Sequence, residues 1–306
     1  MKITLIENFR AVFYIPYYAS IALGAYRDEG IEIELRTSSD ASKTLDTVLA
    51  GSGQVSWGGP VRIMLALEKD PLIEPVAFCE VVGRDPFFLV GRKPNGQFTF
   101  SDLFGKRVAT VSEVPTPWMC LQHDLRLAGL DPAKVSRISD RTMSENAAAL
   151  RRGDADVIQV FEPFASQLEA EGAGAIWYAA ASRGPVTYTT FNAPRAFLNQ
   201  DPDTAHGMCR AIYRTQKWIS ARTAADLAQA VAPYFPGLSK PVLSACCERY
   251  KTLKVWNQDP VMLRQGFEWL RDAGLSQGLI TKRYSFDACV DMRLAEKVVG
   301  EDPPAI

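Results

Sequence analysis

The sequence predicts an α/β fold made of two units, the second inserted between parts of the first. Three observations carry this. β-type runs alternate with helical stretches from the amino terminus to about residue 90, and the alternation restarts after residue 100. Four times a β-type run leads through aromatic or glycine residues to a proline that opens a helix: KITLIE…FYI-Pro16, QVSWGG-Pro60, RVATVSEVPT-Pro117-Trp118 and DVIQVFE-Pro163-Phe164. From Asp203 onward the pattern is mainly helical.

In order, Ile3 to Ile6 is a strand. Ala19, Ala22, Leu23 and Tyr26 share one helix face, and Gly30 ends that helix. IEIELRT is a strand, Lys43 to Ala50 a helix, VSWGG a strand and Val61 to Glu68 a helix. VAFCEVVG and PFFLVGR are two long strands around Arg84-Asp85-Pro86. KPNGQFTFSD reads as a surface loop. Then follow KRVATV, a helix from Pro117 to Ala128, VSRI, a helix from Ser144 to Arg152, DVIQVF, a helix from Pro163 to Glu171, and the strands AIWYAA and VTYTTFNA. Five helices close the chain, near 203–221, 223–234, 240–250, 260–273 and 286–298. The alternation reads as parallel βαβ units. Domain I is expected to hold residues 1–88 plus 191–306, and domain II residues 89–190. Extended crossings near Phe87–Val90 and Thr189–Asn192 would form the hinge.

Proline suits the start of a helix, where its preset φ helps and its missing N–H loses nothing. The four prolines therefore mark four helix N-termini just past the carboxyl ends of strands, where ligands bind in open α/β sheets. Free N–H groups of first turns favour anionic or polar ligand atoms. Phe13, Tyr14, Trp57, Trp118 and Phe161 lie beside these turns and could grip a planar ligand. The pattern indicates a cleft and no particular reaction.

Composition narrows the classes. The 306 residues suffice for two domains, or one large one, with full cores, and 47% hydrophobic with 23% charged residues is ordinary for a globular protein. With 34 basic and 35 acidic residues and no long run of one sign, a nucleic-acid surface is not expected. No apolar run reaches the length of a membrane span. Residues 1–20 lack the basic start, apolar core and cleavage site of a signal peptide. Localisation is thus periplasmic if a leader has been removed, or cytoplasmic. Cys79, Cys120, Cys209, Cys246, Cys247 and Cys289 have no CxxC spacing and read as buried reduced thiols, leaning to a reducing compartment. With only His123 and His206, no zinc or iron site is expected, and no cofactor.

Four segments resemble a known family. IPYYASIALGAYRDEGIEIEL is similar to the opening of solute-binding proteins of the nitrate/sulfonate/taurine transporter class. FTFSDLFGKRVAT resembles their inter-domain segment, LAGLDPAKV their "AGLDPxDV", and LRRGDADVIQVFEPFASQLEAEG the stretch that follows. The resemblance covers most of residues 1–190 in order, whereas the C-terminal helical third matches only in character. The class also includes thiamine-pyrimidine-binding proteins and a few enzymes. The resemblance implies a two-lobed periplasmic-binding-protein type II fold. It implies a monomer that holds a small organic anion, sulfonate or pyrimidine between its lobes and delivers it to an ABC permease, without chemistry.

Candidate ligand residues follow. Asn8, Phe9 and Arg10 lie in the loop after the first strand, which lines the cleft in that family. Arg10 is either a solvated charge or a two-bonded grip on a carboxylate or sulfonate. Phe13 and Tyr14 are core or platform, and Ser38 belongs to a capping segment with a possible ligand contact. Trp57 is the strongest stacking candidate, with Gly58 and Gly59 permitting a tight turn and close backbone approach. Thr116, as an N-cap, Trp118 and Met119 open a helix of domain II. Phe161 and Glu162 stand at a fourth helix entry, where Glu162 either accepts from an amine or amidine or complements the helix dipole.

The alternative is a cytosolic enzyme or ligand sensor on the same fold, like the thiamine-pyrimidine synthases, the desulfinases or a decarboxylase. The CCCFC stretch of the synthases is missing, the loop Glu7 to Ile15 holds no nucleophilic cysteine, and G-x-S-x-G, P-loop and H-E-x-x-H motifs are absent. Cys120 reads as a buried structural cysteine, with a thiolate favoured by its helix start as the alternative.

Overall fold

A computed structural model describes residues 1–306. The buried run KITLIE forms β1 (Lys2–Glu7), which pairs in parallel with β2 (Glu32–Thr37) and β3 (Val55–Gly58). β4 (Pro75–Val82) is buried along its whole length because helices cover both faces of the sheet. The chain then leaves for a second sheet: β5 (Phe88–Gly91), β6 (Arg107–Ala109), β7 (Ser136–Ile138), β8 (Val157–Val160) and β9 (Ala175–Ala179). It returns as β10 (Thr189–Pro194). The orders are β2-β1-β3-β10-β4 and β7-β6-β8-β5-β9.

Both sheets are mixed, where the alternation alone suggests parallel units. β10 runs antiparallel to β3 and β4, and β5 antiparallel to β8 and β9. These are the strands that follow the two passages between lobes, so each enters its sheet from the opposite end. The passages are residues 83–87 and 180–188, slightly earlier than the expected Phe87–Val90 and Thr189–Asn192, which mostly lie within β5 and β10. VAFCEVVG and PFFLVGR are consequently strands of different sheets.

Helices α1 (Ile15–Ala22) and α2 (Ala25–Asp28) replace the single helix expected to end at Gly30, with a break at Leu23-Gly24. α3 (Thr44–Leu49) and α4 (Val61–Lys69) complete the first set. In the second lobe lie α5 (Thr116–Leu127), α6 (Met143–Arg152) and α7 (Phe164–Ala170). A capping box between Thr142 and Glu145 starts α6. The C-terminal part holds α8 (Arg195–Gln200), α9 (Pro202–Ala221), α10 (Ala224–Val231), α11 (Lys240–Thr252), α12 (Arg264–Ser276), α13 (Phe286–Cys289) and α14 (Arg293–Glu301). All four prolines sit at helix starts: Pro16 and Pro117 second in α1 and α5, Pro60 and Pro163 as N-caps of α4 and α7.

The C-terminal helices touch both lobes. On one flank α11 packs on α7, with the Arg249 guanidinium 2.7 Å from the Glu162 carboxylate. The Tyr250 hydroxyl accepts from the Glu162 amide and donates to the Pro86 carbonyl. On the other flank α12 packs on α5. There Arg183 is buried between Asp85, at 2.6 Å, and Asp124, with the Trp269 ring 4.8 Å from its guanidinium carbon. The main apolar core is continuous from the first sheet through Phe87, Phe88 and Phe161 to α6 and α7. No helix is long and apolar enough to cross a membrane.

Candidate functional site

Two adjoining cavities lie between the sheets, at the carboxyl ends of β1, β3 and β8. The first, about 270 Å³, is walled by the loop after β1, the first turns of α3 and α4, residues 113–116 of the second lobe, and Phe87 and Tyr188 of the passages. The second, about 590 Å³, lies between the loop after β1, the starts of α6 and α7, and residues 234–238. Phe9 and Glu113 border both.

The loop after β1 is anchored from beneath. The buried Glu7 carboxylate accepts from Arg10 (2.7 Å), the Tyr18 hydroxyl (2.6 Å) and the Thr37 hydroxyl (2.6 Å). Arg10 also lies over the Tyr18 ring at 4.9 Å and donates to the Tyr234 carbonyl. It lines the second cavity, but its charge already has a partner. The Asn8 amide donates to the Tyr14 hydroxyl at 2.9 Å, and the Asn8 carbonyl oxygen accepts from the Phe9 amide. Burial pushes the Tyr14 phenol up to about 12, so it stays protonated.

Arg62 is the cation that sequence reasoning missed. It lies in the first turn of α4, half-buried on the wall of the first cavity, and no carboxylate or hydrogen-bond partner engages its guanidinium. Burial lowers its pKa from the usual guanidinium value, and Tyr14, Asp40 and Asp46 act on it only at a distance. An arginine this strongly basic remains charged at neutral pH. Gly58 makes room for it, since a Cβ there would lie 2.9 Å from the Arg62 Nε. Gly59 is needed for a different contact: its Cβ would meet the Tyr188 carbonyl at 2.9 Å. The Tyr188 hydroxyl, buried in the same wall, has no hydrogen-bond partner. The rim lysines differ, Lys43 lying 3.8 Å from Asp40 and Lys69 3.4 Å from Asp46. A signal for Arg62 existed, two residues past Pro60. Tyr188 and residues 234–238 carry no local signal, because only the folded chain brings them here.

Of the residues singled out from sequence, Asn8, Phe9, Phe13, Tyr14, Gly59 and Thr116 line the first cavity, and Phe9, Arg10, Phe161 and Glu162 the second. The other candidates lie elsewhere. Trp57 is fully buried beneath α1, its ring stacked on Tyr17 at 4.4 Å, because alternation along β3 turns it to the helix-covered face. The Gly58 carbonyl accepts from Thr190 and Asn192 within the first sheet. Ser38 donates to the Asp40 carbonyl, and Asp40 caps the turn at residues 41–43. Trp118 packs among Leu89, Leu121 and Val157, with Arg137 over its ring at 4.7 Å. Met119 packs with Val61 and Leu270. Thr116 is the first residue of α5 and Pro115 the N-cap, so the expected Thr116 side-chain cap is not made.

Glu162 faces inward to protein partners. It accepts from the Ser166 amide (2.9 Å) and hydroxyl (2.8 Å) and lies against Arg249, leaving no free position for an amine ligand. Cys120 is a buried structural cysteine and not the reactive alternative: the thiol is fully enclosed, and desolvation holds its pKa well above the ordinary value. All six cysteines are buried and none lines either cavity. No group of three or more His, Cys, Asp and Glu side chains is placed to hold a metal ion.

A family model described as NMT1/THI5 like matches residues 13–224. The chain is 28% identical over 305 residues to YtlA of Bacillus subtilis (strain 168), a candidate binding protein by its name, covering 98% of this chain and 90% of that one. A shorter match, 30% over 113 residues, covers 37% of this chain and 32% of the 4-amino-5-hydroxymethyl-2-methylpyrimidine phosphate synthase of Schizosaccharomyces pombe. Among solved structures, the alkanesulfonate-binding protein SsuA of Xanthomonas axonopodis pv. citri, bound to MOPS, superposes with a TM-score of 0.72 at 16% identity, over 95% of this chain and 98% of its own. That likeness shows the fold, two α/β lobes of the periplasmic-binding-protein type II class.

Proposed function

The chain belongs to the NMT1/THI5-like family, and from that premise we propose that it is the solute-binding component of an ABC importer, receiving a small organic anion between its lobes. The observation that carries the reading is Arg62. Its guanidinium lines the inter-lobe cavity without a partner, in a wall shared with Phe13, Tyr14, Phe87 and Tyr188. A half-buried cation with unused donors is costly to leave unpaired, and a bound carboxylate, sulfonate or phosphonate would satisfy it in two-bonded geometry. The aromatic rings around it would orient a planar portion. The alkanesulfonate-binding neighbour carries an anionic cargo by its name, which fits the same chemistry.

The reading is one of binding without conversion. No thiol reaches the cavities, and neither histidine does: His123 contacts Ser276 on the far side of α5, and His206 contacts Glu301. The proposal includes work outside the cytoplasmic membrane, with an ABC permease as the partner.

Native mass spectrometry of the purified protein is expected to show one retained anion, chemically unchanged after long incubation. In calorimetric titrations with methanesulfonate and acetate, Arg62→Gln should weaken binding by roughly ten- to hundredfold, the scale of a lost charge-assisted hydrogen bond. Equal affinity in parent and variant, or conversion of the bound compound, would overturn the reading.

A further inference from the structure

We propose that Glu80 is a proton-operated pin at the root of the two passages between the lobes: neutral, it lets them seat against the C-terminal part of the chain, and ionised, it loosens them. Glu80 stands near the end of β4, beside Thr190 of β10, so both passages begin within a few residues of it. Its side chain is enclosed, with 2% of the residue exposed. Asn257 donates to the carboxylate at 2.5 Å, and the Thr187 hydroxyl of the second passage and the Leu263 amide lie beside it. Asn257 is in turn fitted to the first passage, since a Cβ on Gly83 would fall 1.9 Å from its side-chain oxygen. Four backbone bonds complete the junction. The Gly83 amide donates to the Val255 carbonyl, Val186 to Gly83, Thr187 to Gly266 of α12, and Tyr188 to Val82.

No cation compensates this carboxyl. Facing it from the segment after α11 is Asp259, a second acid, and the titratable neighbours in α1 and β4 are Tyr17 and Cys79. From α9 comes the neutral Gln216, whose amide donates to the carbonyls of Glu80 and Asp259. Behind Asn257 lies a cavity of about 770 Å³ bordered by Arg84, Lys251 and Lys254. Arg84 donates to the Ala181 carbonyl and Lys251 to those of Ile219 and Arg222, and none of the three forms an ion pair with Glu80. Burial pushes the carboxyl up to about 7, more strongly than its hydrogen-bond donors pull it down. A folded group that is the weaker acid makes the junction complete in mild acid, and the junction loses free energy as pH rises through neutrality. Ionised there, the carboxylate is uncompensated. It gains solvation by parting from Asn257 and Thr187 and taking water from the rear cavity, and that parting frees both passages.

Hydrogen exchange of the solute-free protein from pH 6 to pH 8, corrected for the intrinsic rate, tests this independently of any solute, so its failure leaves the anion reading where it stood. The amides of Gly83, Val186, Thr187 and Tyr188 should lose about tenfold in protection over this interval, the ratio that linkage gives when the carboxyl regains its ordinary acidity on opening. Strands β6 and β8 should hold their protection. In Glu80→Gln, a neutral side chain of the same shape, the four amides should be equally protected throughout. In Asn257→Leu, which takes a donor from the carboxylate, the midpoint of the loss should move to higher pH. Constant protection in the parent, a pH effect that survives Glu80→Gln, a fixed midpoint in Asn257→Leu, or an equal loss in β6 and β8 each overturns the proposal.

Discussion

Trp57 and Arg62 show how little separates a core residue from a site residue. Both belong to the segment Trp57-Gly58-Gly59-Pro60-Val61-Arg62. The strand's alternation sends Trp57 under α1, while the first turn of α4 sends Arg62 to the cavity. The two residues should therefore respond differently to substitution. Trp57→Ala is expected to lower stability by about 3–5 kcal/mol, the scale of a large-to-small core change, as read by urea denaturation. Trp118→Ala should likewise act on stability, because its ring packs inside the second lobe. Residual folded protein of the Trp118 variant should bind solute as the parent does. A lost affinity at unchanged stability in either variant would return these rings to the cleft.

At the scale of elements, the contact between α5 and α12 is a fixed point of the fold. Arg183 stands between Asp85 and Asp124 with almost no solvent access, so each carboxylate depends on it for charge compensation. Such a cluster need not add net stability over an apolar replacement, but removing its single cation leaves two buried acids facing each other. Arg183→Ala should cost about 3–5 kcal/mol. Simultaneous Asp85→Asn and Asp124→Asn in the Arg183→Ala background should recover part of that loss. Additive losses in the combined variant would show that the cluster is not a coupled unit. The helix entries make a related point. Proline marked all four, yet the first turn of α1 reaches neither cavity, and α5 brings only Thr116 to them while Trp118 and Met119 turn into packing contacts.

At the scale of the molecule, the lobes meet across the cleft. Phe161 of the second lobe packs edge-on against Phe13 at 5.2 Å and parallel to Phe9, and Val61 packs with Met119. Helices α11 and α12 hold the two flanks. Solute entry by an opening about residues 83–87 and 180–188 is the proposal that this arrangement supports. Small-angle scattering of solute-free protein is expected to give a larger radius of gyration than this arrangement, and saturating anion should reduce it. An identical radius in both states, with binding shown independently, would mean that α11 and α12 keep the lobes fixed and that entry is a matter of side-chain movement at Phe9.

Periodicity, proline placement and the order of strand and helix signals determined that this chain is α/β, that its alternation restarts in a second unit, and that strand ends with helix entries border the candidate site. Those features are local, set by backbone preference and by which faces must be buried. The loop from Asn8 to Tyr14 was legible for the same reason, since it follows directly from the first strand. Direction within the sheets was not legible, because β5 and β10 take their sense from the passages that lead into them. Nor could spacing tell that Arg10 is neutralised by Glu7 and Arg62 is not. Both arginines stand just past a strand end, and only the packed structure decides which one has a carboxylate within reach. The second cavity depends on residues 234–238 closing against a loop more than two hundred positions away. Contacts at that separation leave no mark on local pattern, because the free energy that selects them comes from burying surface the chain brings together only once it has folded.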